Sequence, residues 1–111
     1  MIEKIILDYL SESLDVPVNL EQPDEKSTRY VLVEKTGSNR RNYISSATIA
    51  IQSYAESLYE AASLNEEVKQ VMDSITELPE IAGCDLNSDY NFTDTTRKKY
   101  RYQAVYDITH Y

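Results

Sequence analysis

The chain has 111 residues, 41% of them hydrophobic, and this length and apolar content are typical of one folded domain with a single core. Eleven Lys and Arg against nineteen Asp and Glu give a formal net charge of -8, which argues against tight binding to the phosphates of a nucleic acid. There is no basic-apolar leader and no apolar run of about 18 residues, so we expect a soluble, intracellular protein.

The first segment, residues 2–14, predicts an amphipathic helix, because its apolar residues recur at intervals of three and four. These residues are Ile2, Ile5, Ile6, Tyr9, Leu10 and Leu14. Pro17 is expected to end the helix, since the residue before a proline avoids the helical region. A short extended piece and an exposed acidic loop around Pro23 should follow.

A β-hairpin is predicted next. Residues 29–35 (RYVLVEK) are rich in β-branched and aromatic residues, and residues 43–54 alternate apolar and polar side chains, as strands do. The segment between them, TGSNRRN (36–42), has turn-forming residues and is expected to be the hairpin loop.

A second amphipathic helix is predicted over residues 54–76. Ser53 and Glu56 fit the capping box, in which each side chain binds a free backbone N–H of the other residue. An apolar stripe of Leu, Val, Ala and Met along the segment is expected to pack on a sheet.

Two strands close the chain, residues 84–92 and 98–109, joined by a polar turn centred near Thr95. That centre predicts three cross-strand pairs: Asn91 with Lys99, Asp89 with Arg101, and Asn87 with Gln103. The element order is therefore α-β-β-α-β-β. We predict a two-layer α+β fold in which two helices pack on one face of a mostly antiparallel four-stranded sheet.

The stretch DLNSDYNFTD (85–94) opens like a calcium loop, with D-x-N-x-D. Such a loop needs Gly at its sixth position and Glu at its twelfth, where this chain has Tyr90 and Thr96. The alternating pattern instead indicates a strand with one polar face. Asp85, Asn87 and Asp89 would form a polar ladder on that face.

Catalytic chemistry is not predicted. The chain has two glycines and lacks a phosphate-binding loop, a dinucleotide fingerprint and a nucleophile elbow. Cys84 is the sole cysteine and His110 the sole histidine, and we interpret Cys84 as a buried thiol in a reducing compartment. Asp107 and His110 alone would make a weak metal site. We expect no enzyme activity, metal or cofactor.

Protein contacts are the remaining candidates. Arg40 and Arg41 sit in the predicted hairpin loop, where they are either solvated charges or salt-bridging contacts to an acidic neighbouring subunit. Tyr100, Arg101 and Tyr102 open the last strand, and ten tyrosines in the chain suit half-wet interfaces. We predict both groups as subunit or partner interfaces.

Three segments together resemble small tail proteins of Gram-positive siphophages and prophages, of the tail-terminator, tail-completion and tail-to-head joining type. They are YVLVEKTG, ATIAIQSYAESLYEAASLNEEV and LNSDYNFTDTTRKKYRYQAVYDITHY, and they span most of residues 29–111. The resemblance implies a compact α/β subunit in a hexameric ring that caps the tail tube and faces the head connector. DNA would pass through the ring without specific binding, and the family has no catalytic residues to carry over.

Under that resemblance the expected partners are other copies of the chain, the major tail tube protein and head–tail connector proteins, with no membrane involved. The protein would be made in the bacterial host cytoplasm and end in the tail or neck of the virion. The polar ladder would line the lumen. The alternative function is a small protein-binding or regulatory module of a prophage, which would grip a partner with an open sheet face.

Overall fold

The computed structural model describes residues 1–24, 27–41 and 43–111. Within them the chain forms two α-helices, five β-strands and one 3-10 turn, so the predicted α+β class is confirmed. The elements are α1 (Ile2–Ser13), β1 (Val18–Asn19), β2 (Tyr30–Arg41), β3 (Ile44–Ala55), α2 (Leu58–Met72), the 3-10 turn (Ile75–Glu77), β4 (Ile81–Asn91) and β5 (Tyr100–His110).

The strands form one mixed sheet in the order β1-β2-β3-β5-β4. The four long strands pair antiparallel, as predicted, but β1 adds a fifth strand that runs parallel to β2. Val18 lies beside Val31, and the Val31 N–H donates to the Pro17 carbonyl at 2.9 Å. Two residues are too few for a periodic signal, so the sequence indicated an extended piece but no pairing.

Both helices pack on the same face of the sheet, which we call the helix face. Alternate strand residues such as Val33, Ile51 and Ile108 point into this layer and are buried. α1 buries Ile2, Ile6 and Leu10, at the four-residue spacing that puts side chains on one side of a helix. The buried face of α2 consists of Ala61, Leu64, Asn65, Val68 and Met72. Each fully buried aliphatic side chain contributes about 1.5–3 kcal/mol, so this layer is the main source of stability.

α2 begins later than predicted. β3 continues to Ala55, and the helix is capped by Ser57, whose Oγ accepts a hydrogen bond from the Glu60 N–H at 3.1 Å. The S-x-x-E pattern occurs twice in succession, and the predicted cap, Ser53, lies in the strand opposite Tyr102. Sheet pairing continues past Ser53 and overrides its local capping preference. The helix also ends at Met72, short of residue 76.

The β2–β3 hairpin is longer than predicted. Residues assigned to the loop extend β2 to Arg41, which pairs with Ile44, and the pairing shifts by one residue between Lys35 and Gly37. Tyr43 has a φ of 69°, in the left-handed region that tight hairpin turns require. Asn42 of the predicted loop, and Glu25 and Lys26 of the predicted acidic loop, lie outside the described residues.

The predicted register of β4 and β5 is wrong by three residues. Asp89 pairs with Ala104 and Asn91 with Tyr102, so the predicted Asp89–Arg101 pair does not form. The connection is centred beyond Thr95, since Asp94 pairs with Lys99 across it. Within it, the Asp94 Oδ1 accepts hydrogen bonds from the N–H groups of Thr96 and Arg97. A bulge between Leu86 and Ser88 then shifts the register again.

Candidate functional site

The second face of the sheet, the open face, carries no described helix. In strand order it presents Tyr30 and Leu32 from β2; Thr48, Ala50, Gln52 and Tyr54 from β3; Arg101, Gln103, Val105 and Asp107 from β5; and Asp85, Ser88 and Tyr90 from β4. Part of this face is nevertheless buried, namely Tyr30, Leu32, Ala50, Gln52, Tyr54 and Gln103.

A hydrogen-bonded network of tyrosines and glutamines crosses the open face. The Gln52 Nε2 donates to the Gln103 Oε1 at 2.7 Å, and the Gln103 Nε2 donates to the Tyr90 hydroxyl at 2.6 Å. The Tyr54 hydroxyl donates to the Gln52 Oε1 at 3.0 Å. Both buried amides have partners, so the network joins β3, β5 and β4 across the open face.

Tyr30 and Tyr54 stack at one end of this network, with ring centroids 4.5 Å apart. Gln22 bridges them, since its Nε2 donates to the Tyr54 hydroxyl while its Oε1 accepts from the Tyr30 hydroxyl. Burial raises the pKa of Tyr30, and the neighbouring Tyr54 raises it further. Tyr30 therefore stays protonated, and the two hydroxyls hold Gln22, and with it the loop after β1, against the open face.

Arg101, one of the predicted interface residues, is used within the chain. Its guanidinium donates to the Tyr54 hydroxyl at 2.9 Å and lies over the Phe92 ring, 4.3 Å from the centroid. The Arg101 Nε also donates to the Phe92 carbonyl. These contacts close the wide β4–β5 connection, so Arg101 is first of all a structural residue.

The two tyrosines that flank Arg101 lie apart from it. Tyr102 pairs with Ser53 and Asn91 on the helix face. Tyr100 lines a cavity of about 200 Å³ together with Lys98, Lys99 and Tyr54 at the end of the sheet. The predicted interface group Tyr100, Arg101 and Tyr102 is therefore not one surface, because adjacent strand residues point to opposite faces.

The predicted polar ladder is also divided. Asp85 and Asn87 lie on the open face, where the Asn87 Nδ2 donates to the Asp107 Oδ2 at 3.0 Å. Asp89 lies on the helix face, because the bulge between Leu86 and Ser88 inserts one residue and reverses the alternation. The alternation of polar residues in the sequence therefore does not place the three side chains on one face.

Asp89 is bound to α2. Its Oδ2 accepts hydrogen bonds at 3.0 Å from the Asn65 Nδ2 and from the Lys69 ammonium, which also bonds Glu66 at 2.8 Å. The hydrogen bonds to Glu66 and then to Asp89 raise the pKa of Lys69. This cluster joins the β4 edge strand to the helix layer.

Asp85 and Asp107 face each other directly across β4 and β5. The Thr48 hydroxyl donates to the Asp107 Oδ1 at 3.4 Å, whereas no ion pair joins either carboxylate to a cation of the described residues. The sequence had not indicated Asp107 as part of this site, because the predicted register placed Asn87 opposite Gln103. The pair lines an open groove of about 380 Å³.

Arg40 and Arg41 are exposed at the closed end of the β2–β3 hairpin, and neither has a salt-bridge partner in the described part of the chain. Strand alternation places Arg41 on the open face and Arg40 on the helix face. Arg40 lines a cleft of about 490 Å³ with Glu3, Lys35 and His110. The two arginines therefore serve different surfaces.

Cys84 is half-buried, and burial raises the pKa of its thiol to about 11, with a smaller contribution from Asp85. The thiol is consequently protonated at neutral pH and is a weak nucleophile. Residues 1–24, 27–41 and 43–111 contain no group of three His, Cys, Asp or Glu side chains arranged to hold a metal ion.

Within the described chain, neither helix has the length and apolar character needed to cross a membrane. The chain matches no protein-family model, and no curated protein is significantly similar to it. Functional inference therefore depends on the residues themselves. The candidate contact surfaces are the open face and the exposed end of the β2–β3 hairpin.

Proposed function

We propose that the chain is a structural subunit of a phage tail, a tail terminator or tail-completion protein that caps the tail tube as a ring and joins it to the head connector. The observation that carries the proposal is the uncovered surface of the sheet. Strands of 11 or 12 residues build a molecule 44 Å long, and the helices cover only one of its faces. A small subunit with so much free sheet is suited to contacts with several neighbours at once.

The edges of the sheet support the same role. β1 covers only Val31 and Leu32 of β2, so the outer edge of β2 from Glu34 to Arg41 has no strand beside it among the described residues. β4 forms the opposite edge along all of its 11 residues. Unpaired edge N–H and C=O groups accept a neighbouring chain, which a ring of identical subunits supplies.

Charge is consistent with a conduit for DNA. A formal charge of -8 disfavours capture of a phosphate backbone, so DNA can pass without being held. The acidic residues that would line the channel are not the predicted ladder as a whole, because Asp89 is engaged by Lys69 on the helix face. The expectation that DNA passes without being held therefore depends on the net charge and not on a specific lumen residue.

The second candidate is a protein-binding or regulatory module. Tyr90 and Phe92 favour it, because these rings are each 41% exposed beside the open face and are available to a partner in a single copy of the chain. Such a module would bind a host or prophage protein as a monomer or dimer and would not be part of a virion.

Deletion of the gene from an inducible phage separates the two candidates. A tail terminator predicts heads without normal tails, or tails of uncontrolled length, by electron microscopy, with normal particles restored by the wild-type gene in trans. A regulatory module predicts altered timing or yield of particles whose structure is normal. Intact, infectious virions after deletion would contradict the proposed function.

A further inference from the structure

One end of the sheet carries opposite charges on its two faces. On the helix face, the Arg40 cleft is lined by Glu3, Lys35, Arg40 and His110. On the open face at the same end, the Asp85 groove is lined by Asp85 and Asp107. Both are open depressions, of about 490 and 380 Å³, and both have polar walls of serine, threonine or asparagine.

The Arg40 cleft has a surplus of positive charge. The Lys35 Nζ lies 3.9 Å from the Glu3 Oε1, so that pair is compensated within the chain. Arg40 has no acidic partner in the described residues and is exposed. Its guanidinium can therefore form a bidentate contact with a carboxylate from outside.

The Asp85 groove carries the opposite excess, of negative charge. Two carboxylates directly opposite each other on neighbouring strands repel, and such a pair is destabilising in an isolated sheet. Asp107 is partly compensated by hydrogen bonds from Thr48 and Asn87, whereas the described residues give Asp85 neither a hydrogen bond nor an ion pair. A cation between the two carboxylates would relieve the repulsion.

These sites cannot satisfy each other within one chain, because the sheet lies between them. We infer that the Arg40 cleft of one copy docks on the Asp85 groove of the next, so that copies associate head to tail. A contact between two different surfaces is heterologous, and repetition of it closes into a ring or extends into a filament. This inference rests on the proposed ring-forming role and specifies the contact that builds the ring.

Charge reversal at one residue on each side tests the contact. Arg40→Glu and Asp85→Lys are made separately and together, and the mass of each purified protein is measured by analytical ultracentrifugation at millimolar concentration and low salt. Arg41→Glu is the matched control, since it makes the same charge change one residue away but on the open face. Each single reversal should weaken self-association roughly tenfold or more, whereas Arg41→Glu should leave it unchanged.

Restoration is the decisive result. The double variant, Arg40→Glu with Asp85→Lys, should associate like the wild type, and so should an equimolar mixture of the two single variants, which forms alternating complexes. Circular dichroism checks that each variant is folded. A wild-type chain that stays monomeric under these conditions, an Arg41→Glu variant as impaired as Arg40→Glu, or a double variant that does not recover each overturns the inference.

The two proposals fail separately. If gene deletion gives defective tails while the reversals leave association intact, the structural role stands and the contact assigned here is wrong. If the reversals behave as expected while deletion leaves virions intact, the contact stands and the tail role is wrong.

Discussion

Asp89 offers a direct test of the strand bulge, because a lumen-facing ladder and a contact with α2 predict different consequences for its removal. Asp89→Ala deletes the carboxylate that accepts hydrogen bonds from Asn65 and Lys69. If Asp89 were solvated on the open face, its loss would scarcely affect stability. On the helix face, its loss leaves a buried amide without a partner.

The magnitude follows from those two contacts. The Lys69–Asp89 pair is partly exposed on both sides, at 22% and 29%, so it contributes about 0.2–1 kcal/mol. Asn65 is only 1% exposed and its Oδ1 already lacks a hydrogen-bond partner, so an unpaired Nδ2 costs about 1–3 kcal/mol more. We expect a loss of about 2 kcal/mol, and about 4 °C in melting temperature for each kcal/mol in a domain of this size.

The assay is urea unfolding followed by circular dichroism, with Asp85→Ala as the matched control on the same strand. Asp85 accepts no hydrogen bond and forms no ion pair among the described residues, and it faces Asp107, so its substitution should leave the unfolding free energy unchanged or raise it by less than about 1 kcal/mol. A double-mutant cycle of Asp89→Ala with Asn65→Ala should show a coupling of about 1 kcal/mol. Equal effects of Asp89→Ala and Asp85→Ala, or additivity in the cycle, would refute the assignment of Asp89 to the helix face.

Three further predictions concern the helix cap, the thiol and the β4–β5 connection. Ser57→Ala should destabilise the protein by about 1 kcal/mol in urea unfolding, because it removes the α2 cap. Ser53→Ala should cost less, because the buried Ser53 Oγ has no hydrogen-bond partner. A larger loss of stability for Ser53→Ala than for Ser57→Ala would instead indicate that Ser53 is the cap. Because the pKa of Cys84 is about 11, alkylation of the folded protein should be slow at pH 8 and rise toward pH 11, and a profile centred near the ordinary value of 9.0 would contradict its burial. The folded state holds that proton more tightly than the unfolded state, so the Cys84 contribution to stability is present below pH 9 and is lost as pH rises toward 11. Arg101→Lys keeps the charge but loses the contacts with Tyr54 and Phe92, and should cost about 1 kcal/mol in thermal unfolding, against no measurable change for Arg97→Lys at the exposed turn.

The sequence predicted the elements better than their mutual positions. Periodicity identified both helices and the four long strands, because burial of one face of an element makes apolar residues recur at a fixed spacing in the sequence. The cap of α2 was misplaced by four residues, since Ser53 and Ser57 offer the same local chemistry and only strand pairing distinguishes them. β1 was missed as a strand because its two residues gain their pairing from β2 and not from their own pattern.

The candidate site was predicted in part for a related reason. Arg40 and Arg41 were expected at a hairpin end, and they lie there, but which face each one serves depends on the pairing shift between Lys35 and Gly37. Asp107 acquires its importance only from the register that sets it against Asp85. Registers and bulges are decided by tertiary contacts, and no local pattern in DLNSDYNFTD encodes them.

The bulge in β4 has a consequence for how this edge strand can vary. It reverses the side-chain alternation, so that the two halves of β4 face different neighbours. Asp89 contacts α2, whereas Asp85 lies on the open face. One half can therefore acquire new partner contacts without disturbing the anchorage supplied by the other. Deleting a single residue at the bulge would give both halves of β4 the same alternation. Either Asp85 or Asp89 would then point to the opposite face of the sheet.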